Sequence, residues 1–114
     1  MDGMREFEAK ATEVAALLKA VANERRLMVL CKLLEFGEAN VGSLAEAVGL
    51  SQSALSQHLT VLRDQKIVAF RRESQTLWYR IADPRVEALF ATLQSLFCPP
   101  GDEQPVSAPA IAET

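Results

Sequence analysis

Ser51-Gln52-Ser53-Ala54-Leu55-Ser56-Gln57-His58-Leu59-Thr60-Val61-Leu62-Arg63-Asp64 is the run on which the fold turns. Ser51 is a helix-capping residue, and Leu55, Leu59 and Leu62 recur at helical spacing, so one face turns towards a core. The other face holds Gln52, Ser53, Ser56 and Gln57, short or amide side chains close to the helix start. Such groups hydrogen-bond base edges in a major groove, or meet phosphate with the helix dipole behind them. Polarity alone also describes an ordinary solvated face, so the flanking sequence has to decide.

Upstream, Ser43 to Val48 reads as a short helix capped by Ser43, and Gly49 stands where a helix-ending residue of positive φ is wanted. Two helices joined by a short Gly-containing turn, here Gly49 and Leu50, form a helix-turn-helix whose second member enters the major groove. Downstream, Ile67 to Glu73 and Leu77 to Ala82 read as two strands around Ser74, Gln75 and Thr76. This hairpin is the wing of a winged helix, with Arg71 and Arg72 placed for backbone phosphates.

The run Ser53-Ala54-Leu55-Ser56-Gln57-His58-Leu59-Thr60-Val61-Leu62 fits the S-x-x-S-x-H-L-x-x-L pattern of ArsR-type winged-helix repressors. Asn23-Glu24-Arg25-Arg26-Leu27 resembles their N-x-x-R-L helix opening, and Arg71-Arg72 with Trp78-Tyr79-Arg80 adds to the likeness in the wing. The resemblance runs from Ala11 to Cys98. It implies a homodimeric repressor that binds double-stranded operator DNA, with His58 a structural or DNA-contacting member of the reading helix.

A chain of 114 residues with 49% hydrophobic and 24% charged content is one globular domain in size. No apolar run reaches the roughly twenty residues that span a bilayer, and the N-terminus lacks a signal-peptide pattern, so no membrane partner and a cytoplasmic location are expected. The net charge of −3 runs against binding phosphate until its distribution is considered. Residues 51 to 80 hold Arg63, Lys66, Arg71, Arg72 and Arg80 against Asp64 and Glu73, a local excess of three positive charges on the half that would face DNA.

The remaining segments read as helices. Glu6 to Ala22 carries Phe7, Ala11, Val14, Leu18 and Val21 on one stripe, so a single first helix is expected. Asn23 caps a second helix from Glu24 to Phe36, which is apolar nearly all round and should be the central one, with Gly37 ending it. Asp83-Pro84 opens a last helix running to Cys98, with Val86, Leu89, Phe90, Leu93, Leu96 and Phe97 on a wide apolar face. The expected fold is mainly α with a small β-hairpin wing, in the order α-α-α-α-β-β-α. The first and last helices expose more apolar surface than one small domain covers, so they should pair across a two-fold axis. Two reading helices would then meet major grooves roughly 34 Å apart on an inverted-repeat operator. Residues 99–114 hold four of the five prolines and read as a disordered tail after a domain of residues 1–98.

No grouped nucleophile, base and orienting residue is present, and no phosphate-binding glycine loop, so an enzyme is not expected. Nor is a cofactor. Cys31 shares a stripe with Leu27, Leu30 and Leu34 and reads as a small buried hydrophobe, whereas Cys98, beside Pro99, should meet solvent. In a reducing compartment a pair able to meet points to a redox switch rather than a structural disulfide. At least one thiol then needs a lowered pKa, and Arg25, Arg26 and Lys32 are the local cations that offer it.

Metal sensing competes with this reading. The short third helix lacks the paired cysteines of the family's arsenic and cadmium sensors, and the last helix lacks the Asp and His ligands of its zinc sensors, so no metal is expected. A two-coordinate arsenite site, or one shared across a dimer, stays open. One cysteine midway along the second helix and one ending the last resembles the family's persulfide-sensing branch. That resemblance implies that Cys31 and Cys98 react with sulfur species such as glutathione persulfide, become bridged, and release DNA. A general oxidant sensor forming a plain disulfide, and a dimerising module without DNA binding, remain alternatives.

Overall fold

The structure, a computed structural model, describes residues 2–98. Its elements in chain order are α1 (Asp2–Ala9), α2 (Ala11–Val21), α3 (Glu24–Phe36), β1 (Ala39–Asn40), α4 (Val41–Val48), α5 (Gln52–Asp64), β2 (Val68–Glu73), β3 (Thr76–Ile81) and α6 (Pro84–Phe97). The tail expected over residues 99–114 lies outside the described residues. Among the described residues no helix is long and apolar enough to cross a membrane.

Helix starts are set by side chains that accept orphan backbone N–H groups. Asn23 accepts from the Arg26 N–H to open α3, Ser51 from that of Ala54 to open α5, and Asp83 from that of Arg85 to open α6, with Pro84 next to it. Gly37 and Gly49 end α3 and α4 at φ of 82° and 71°. The cap of α4 differs from expectation. Asn40 Oδ1, not Ser43, accepts the bond, from the Ser43 N–H at 2.8 Å, so the helix begins two residues earlier. Val41 and Gly42 are weak helix formers that disguise this first turn.

The first helix is two. Lys10 sits at φ −102° and ψ 9°, and its N–H is shared between the carbonyls of Glu6 and Phe7. Of the stripe that suggested one rod, only Val21 at its far end is buried and Val14 is half-buried, while Phe7 stays 57% exposed, so packing does not hold the two segments in line.

Strand order is β1-β3-β2, all antiparallel. In the wing, Glu73 pairs with Thr76, so Thr76 belongs to the strand and only Ser74 and Gln75 form the turn. Strand β1, two residues pairing Ala39 with Tyr79 and Asn40 with Trp78, was not expected. Two residues carry no periodicity to read. Leu30 and Leu33 of α3, Leu44 of α4, Leu55, Leu59 and Leu62 of α5, Ile67, and Val86 and Phe90 of α6 close the core. Helix α3 is its hub, packing against α2, α4, α5, α6 and β3. It is not covered all round, since Met28 and Phe36 are exposed.

Candidate DNA interface and thiol site

Because Leu55, Leu59 and Leu62 are buried to 1% exposure or less, the opposite face of α5 is fixed outward. Gln52, Ser53, Ser56 and Gln57 all lie exposed on it. Gln52 and Ser56 also line a cleft of about 550 Å³ completed by Asn40, Gly42, Gln75 and Thr76. The starts of α4 and α5 and the turn of the wing thus converge on one polar hollow. No local pattern groups its members Asn40, Gly42, Gln75 and Thr76, because only the fold brings the wing turn beside the two helix starts.

The expected wing arginines divide. They are consecutive in a strand and leave it on opposite faces. Arg71 donates from Nε and Nη2 to both carboxylate oxygens of Glu38, at 2.8 and 3.0 Å, lies 3.4 Å from Glu73, and sits over the Trp78 ring at 5.8 Å. Its guanidinium holds the Glu38 carboxyl below the usual range. This forked pair ties the wing to the segment before β1 rather than presenting an open cation. Arg72 and Arg80 are exposed on the wing, and Arg63 at the end of α5 stacks over Phe70 at 5.0 Å.

His58 does not join the exposed reading face. Its ring is half-buried, and Nδ1 lies 3.4 Å from Arg26 Nη1 of α3. An arginine only donates, so Nδ1 accepts and the neutral ring carries its proton on Nε2. Burial first, then the Arg26 and Arg25 charges, lower its pKa from the ordinary value.

Cys31 and Cys98, far apart in sequence, line one cavity of about 310 Å³ between α3 and α6, together with Leu27, Phe90, Leu93, Gln94 and Phe97. Leu27 and Cys31 lie one turn apart on α3, and Phe90, Leu93, Gln94 and Phe97 follow helical spacing on α6. Both cysteines are thiols, Cys31 partly buried and Cys98 exposed. The expectation that local cations lower a thiol pKa fails at Cys31. Burial is the main cause and pushes it up, Cys98 adds to the rise, Lys32 opposes it, and Glu35 raises it further. Arg25 instead reaches the Val48 carbonyl and Arg26 the Ala20 carbonyl, on other sides of α3. Among the described residues no three His, Cys, Asp or Glu side chains gather as a metal site.

Comparison with known proteins agrees with this geometry. The model described as "Bacterial regulatory protein, arsR family" matches residues 23–69, from the cap of α3 into β2. The transcriptional activator HlyU of Vibrio cholerae is 45% identical over 95 residues, covering 83% of this chain and 87% of that protein. The structure of the transcriptional repressor BigR from Xylella fastidiosa superposes with a TM-score of 0.76 at 40% identity, covering 83% of this chain and 96% of that one. The homodimeric winged helix-turn-helix DNA-binding domain of Mb0332 from Mycobacterium bovis gives 0.71 at 38% identity, covering 78% and 82%. With a reading helix, a wing and regulators of this likeness over most of its length, the chain belongs to the arsR family and is a transcriptional regulator, not an enzyme.

Proposed function

We propose that the chain is a homodimeric dithiol repressor that holds an inverted-repeat operator when reduced and releases it when reactive sulfur bridges Cys31 and Cys98. The observation that carries this reading is that both thiols line one apolar cavity between the central helix and the last helix. Dimerisation is supported by the exposed Met4 and Phe7 of α1, Leu18 of α2, and Leu96 and Phe97 of α6, the last two 68% and 79% exposed, and by the homodimeric state of the Mb0332 domain. DNA contact is assigned to Gln52, Ser53, Ser56 and Gln57 with the polar cleft beside them, and to Arg72 on wing phosphate. The redox element draws support from HlyU, one of whose structures is described as the reduced form.

The chemistry balances with a hydropersulfide, RSSH, as both sulfur donor and oxidant. The Cys98 thiolate, the accessible one, attacks the outer sulfur and expels the thiolate RS⁻, leaving Sγ–SH. That persulfide, deprotonated, attacks the outer sulfur of a second RSSH and expels a second RS⁻, which extends it to Sγ–S–SH. The Cys31 thiolate then attacks the middle sulfur and expels HS⁻, which leaves one sulfur atom between the two cysteines. A bridge favours the arrangement of α3 against α6 that brings the thiols to bonding distance, DNA favours another, and each opposes the other by linkage.

Intact mass after glutathione persulfide and, separately, hydrogen peroxide, followed by operator binding on each product, tests the reading. A gain of sulfur with loss of two hydrogens, linked through Cys31 and Cys98, should abolish binding, and the Cys31→Ser chain should stay on DNA. A loss of two hydrogens with either reagent and equal release would make it a general oxidant sensor. No linkage at all would remove the dithiol switch.

A further inference from the structure

The run Asn23-Glu24-Arg25-Arg26-Leu27 that opens α3 does more than start a helix. Asn23 caps it, Leu27 lines the thiol cavity, and Arg26 between them reaches the other way. Arg26 Nε donates to the Ala20 carbonyl at the end of α2, and Nη1 meets His58 Nδ1 in the middle of the reading helix at 3.4 Å. Five residues along an α-helix amount to roughly 140° around its axis and about 7.5 Å along it, so Cys31 and Arg26 act on well-separated faces of one rod. Between them Val29 and Leu30 are 0% exposed. A helix so packed responds to a pull on one face by moving as a body rather than by bending.

We propose that the hydrogen bond from Arg26 to His58 carries a displacement of α3 at the thiol cavity to the reading helix α5, which makes both residues positioning residues of the switch. This rests on the dithiol reading above. With both thiols reduced, Arg26, anchored to α2 through Ala20, holds α5 by the His58 ring in the orientation that DNA accepts. Bridging Cys31 to Cys98 draws α3 against α6, shifts Arg26 on the far face, and leaves α5 without that restraint. The coupling free energy between thiol site and DNA then passes through one donor and one acceptor.

The test compares the full chain with His58→Phe, His58→Asn and Arg26→Met. Each is measured against a duplex selected by the reduced wild type from a random pool, as the ratio of dissociation constants in the persulfide-bridged and reduced states. Phenylalanine keeps the ring volume and loses the acceptor; asparagine puts Oδ1 near the place of Nδ1 and keeps it. The wild-type ratio should lie within the range of about 5 to 150 usual for coupled sites. It should fall to within about twofold of unity in His58→Phe and Arg26→Met, and survive in His58→Asn, a rescue that a merely structural role does not produce. Should Arg26→Met lose its helical circular dichroism, the two His58 variants decide, since they leave the Arg26 contact to α2 in place. A wild-type ratio kept in His58→Phe, or coupling lost in His58→Asn, overturns the link. If wild type itself binds equally in both states, the dithiol reading falls and the link with it; if wild type releases DNA and His58→Phe does so equally, the link alone falls.

Discussion

At residue scale the two sulfurs are not equivalent. Cys31 is partly buried and its pKa is raised, first by burial and then by Cys98, whereas Cys98 stands exposed at the end of α6. Since the thiolate is the reactive species, one equivalent of iodoacetamide on the reduced chain should label Cys98 before Cys31, as read by peptide mass mapping. Preferential labelling of Cys31 would reverse the assigned order of attack. His58 makes a second prediction. Burial and the Arg26 and Arg25 charges lower its pKa, so the folded chain takes up this proton less readily than the unfolded chain, whose imidazole titrates near 6.5. As pH falls through that value the unfolded state binds more protons, so stability drops and levels off only below the folded pKa. The urea midpoint of wild type should therefore decline between about pH 7.5 and about pH 5 more than that of a variant lacking the imidazole, such as His58→Asn. Equal declines would show that His58 is not the group responsible.

At the scale of elements, the helix-turn-helix depends on a single left-handed residue. Gly49 at φ 71° lets α4 stop and α5 start within a short turn, and a Cβ built there meets nothing within 4 Å. The cost of a side chain is therefore backbone strain alone. Gly49→Ala should lower unfolding free energy by about 1–2 kcal/mol in urea titrations, with Gly49→Asn between it and wild type. A neutral alanine would mean that the turn relaxes out of the left-handed region. Caps such as Asn23, Ser51 and Asp83 were readable because the capping oxygen sits just before its helix. Asn40 was not, because Ser43, itself a good cap residue, proves to be the donor of that bond rather than the acceptor.

For the whole molecule, charge segregation reconciles an acidic chain with a polyanionic partner. The reading helix and wing carry the excess of basic residues, so log affinity for operator should fall linearly with log salt, by about 0.9 per phosphate neutralised. Arg72→Gln should reduce that slope by about 1 in anisotropy titrations. Arg71→Gln should change it less, because its guanidinium is already paired with Glu38. Equal changes from the two would mean that DNA strips Arg71 from its carboxylate partner.

The helix α5 with its outward Gln and Ser face, the hub helix and the wing were legible in the chain, because each is written in local periodicity or in caps placed beside what they cap. Leu55, Leu59 and Leu62 orient α5 whatever else the chain does. Where distant residues come together was set by the fold: Arg71 on Glu38, His58 on Arg26, the wing turn beside Asn40 and Gly42, and Cys31 and Cys98 on one cavity. None of these pairs shares a helix or a strand, so no spacing rule records them. The thiol pKa shows the difference most directly. Adjacent cations in the sequence suggested a lowered value, but helical geometry sends Arg25 and Arg26 to other faces and packing leaves burial as the stronger effect at Cys31.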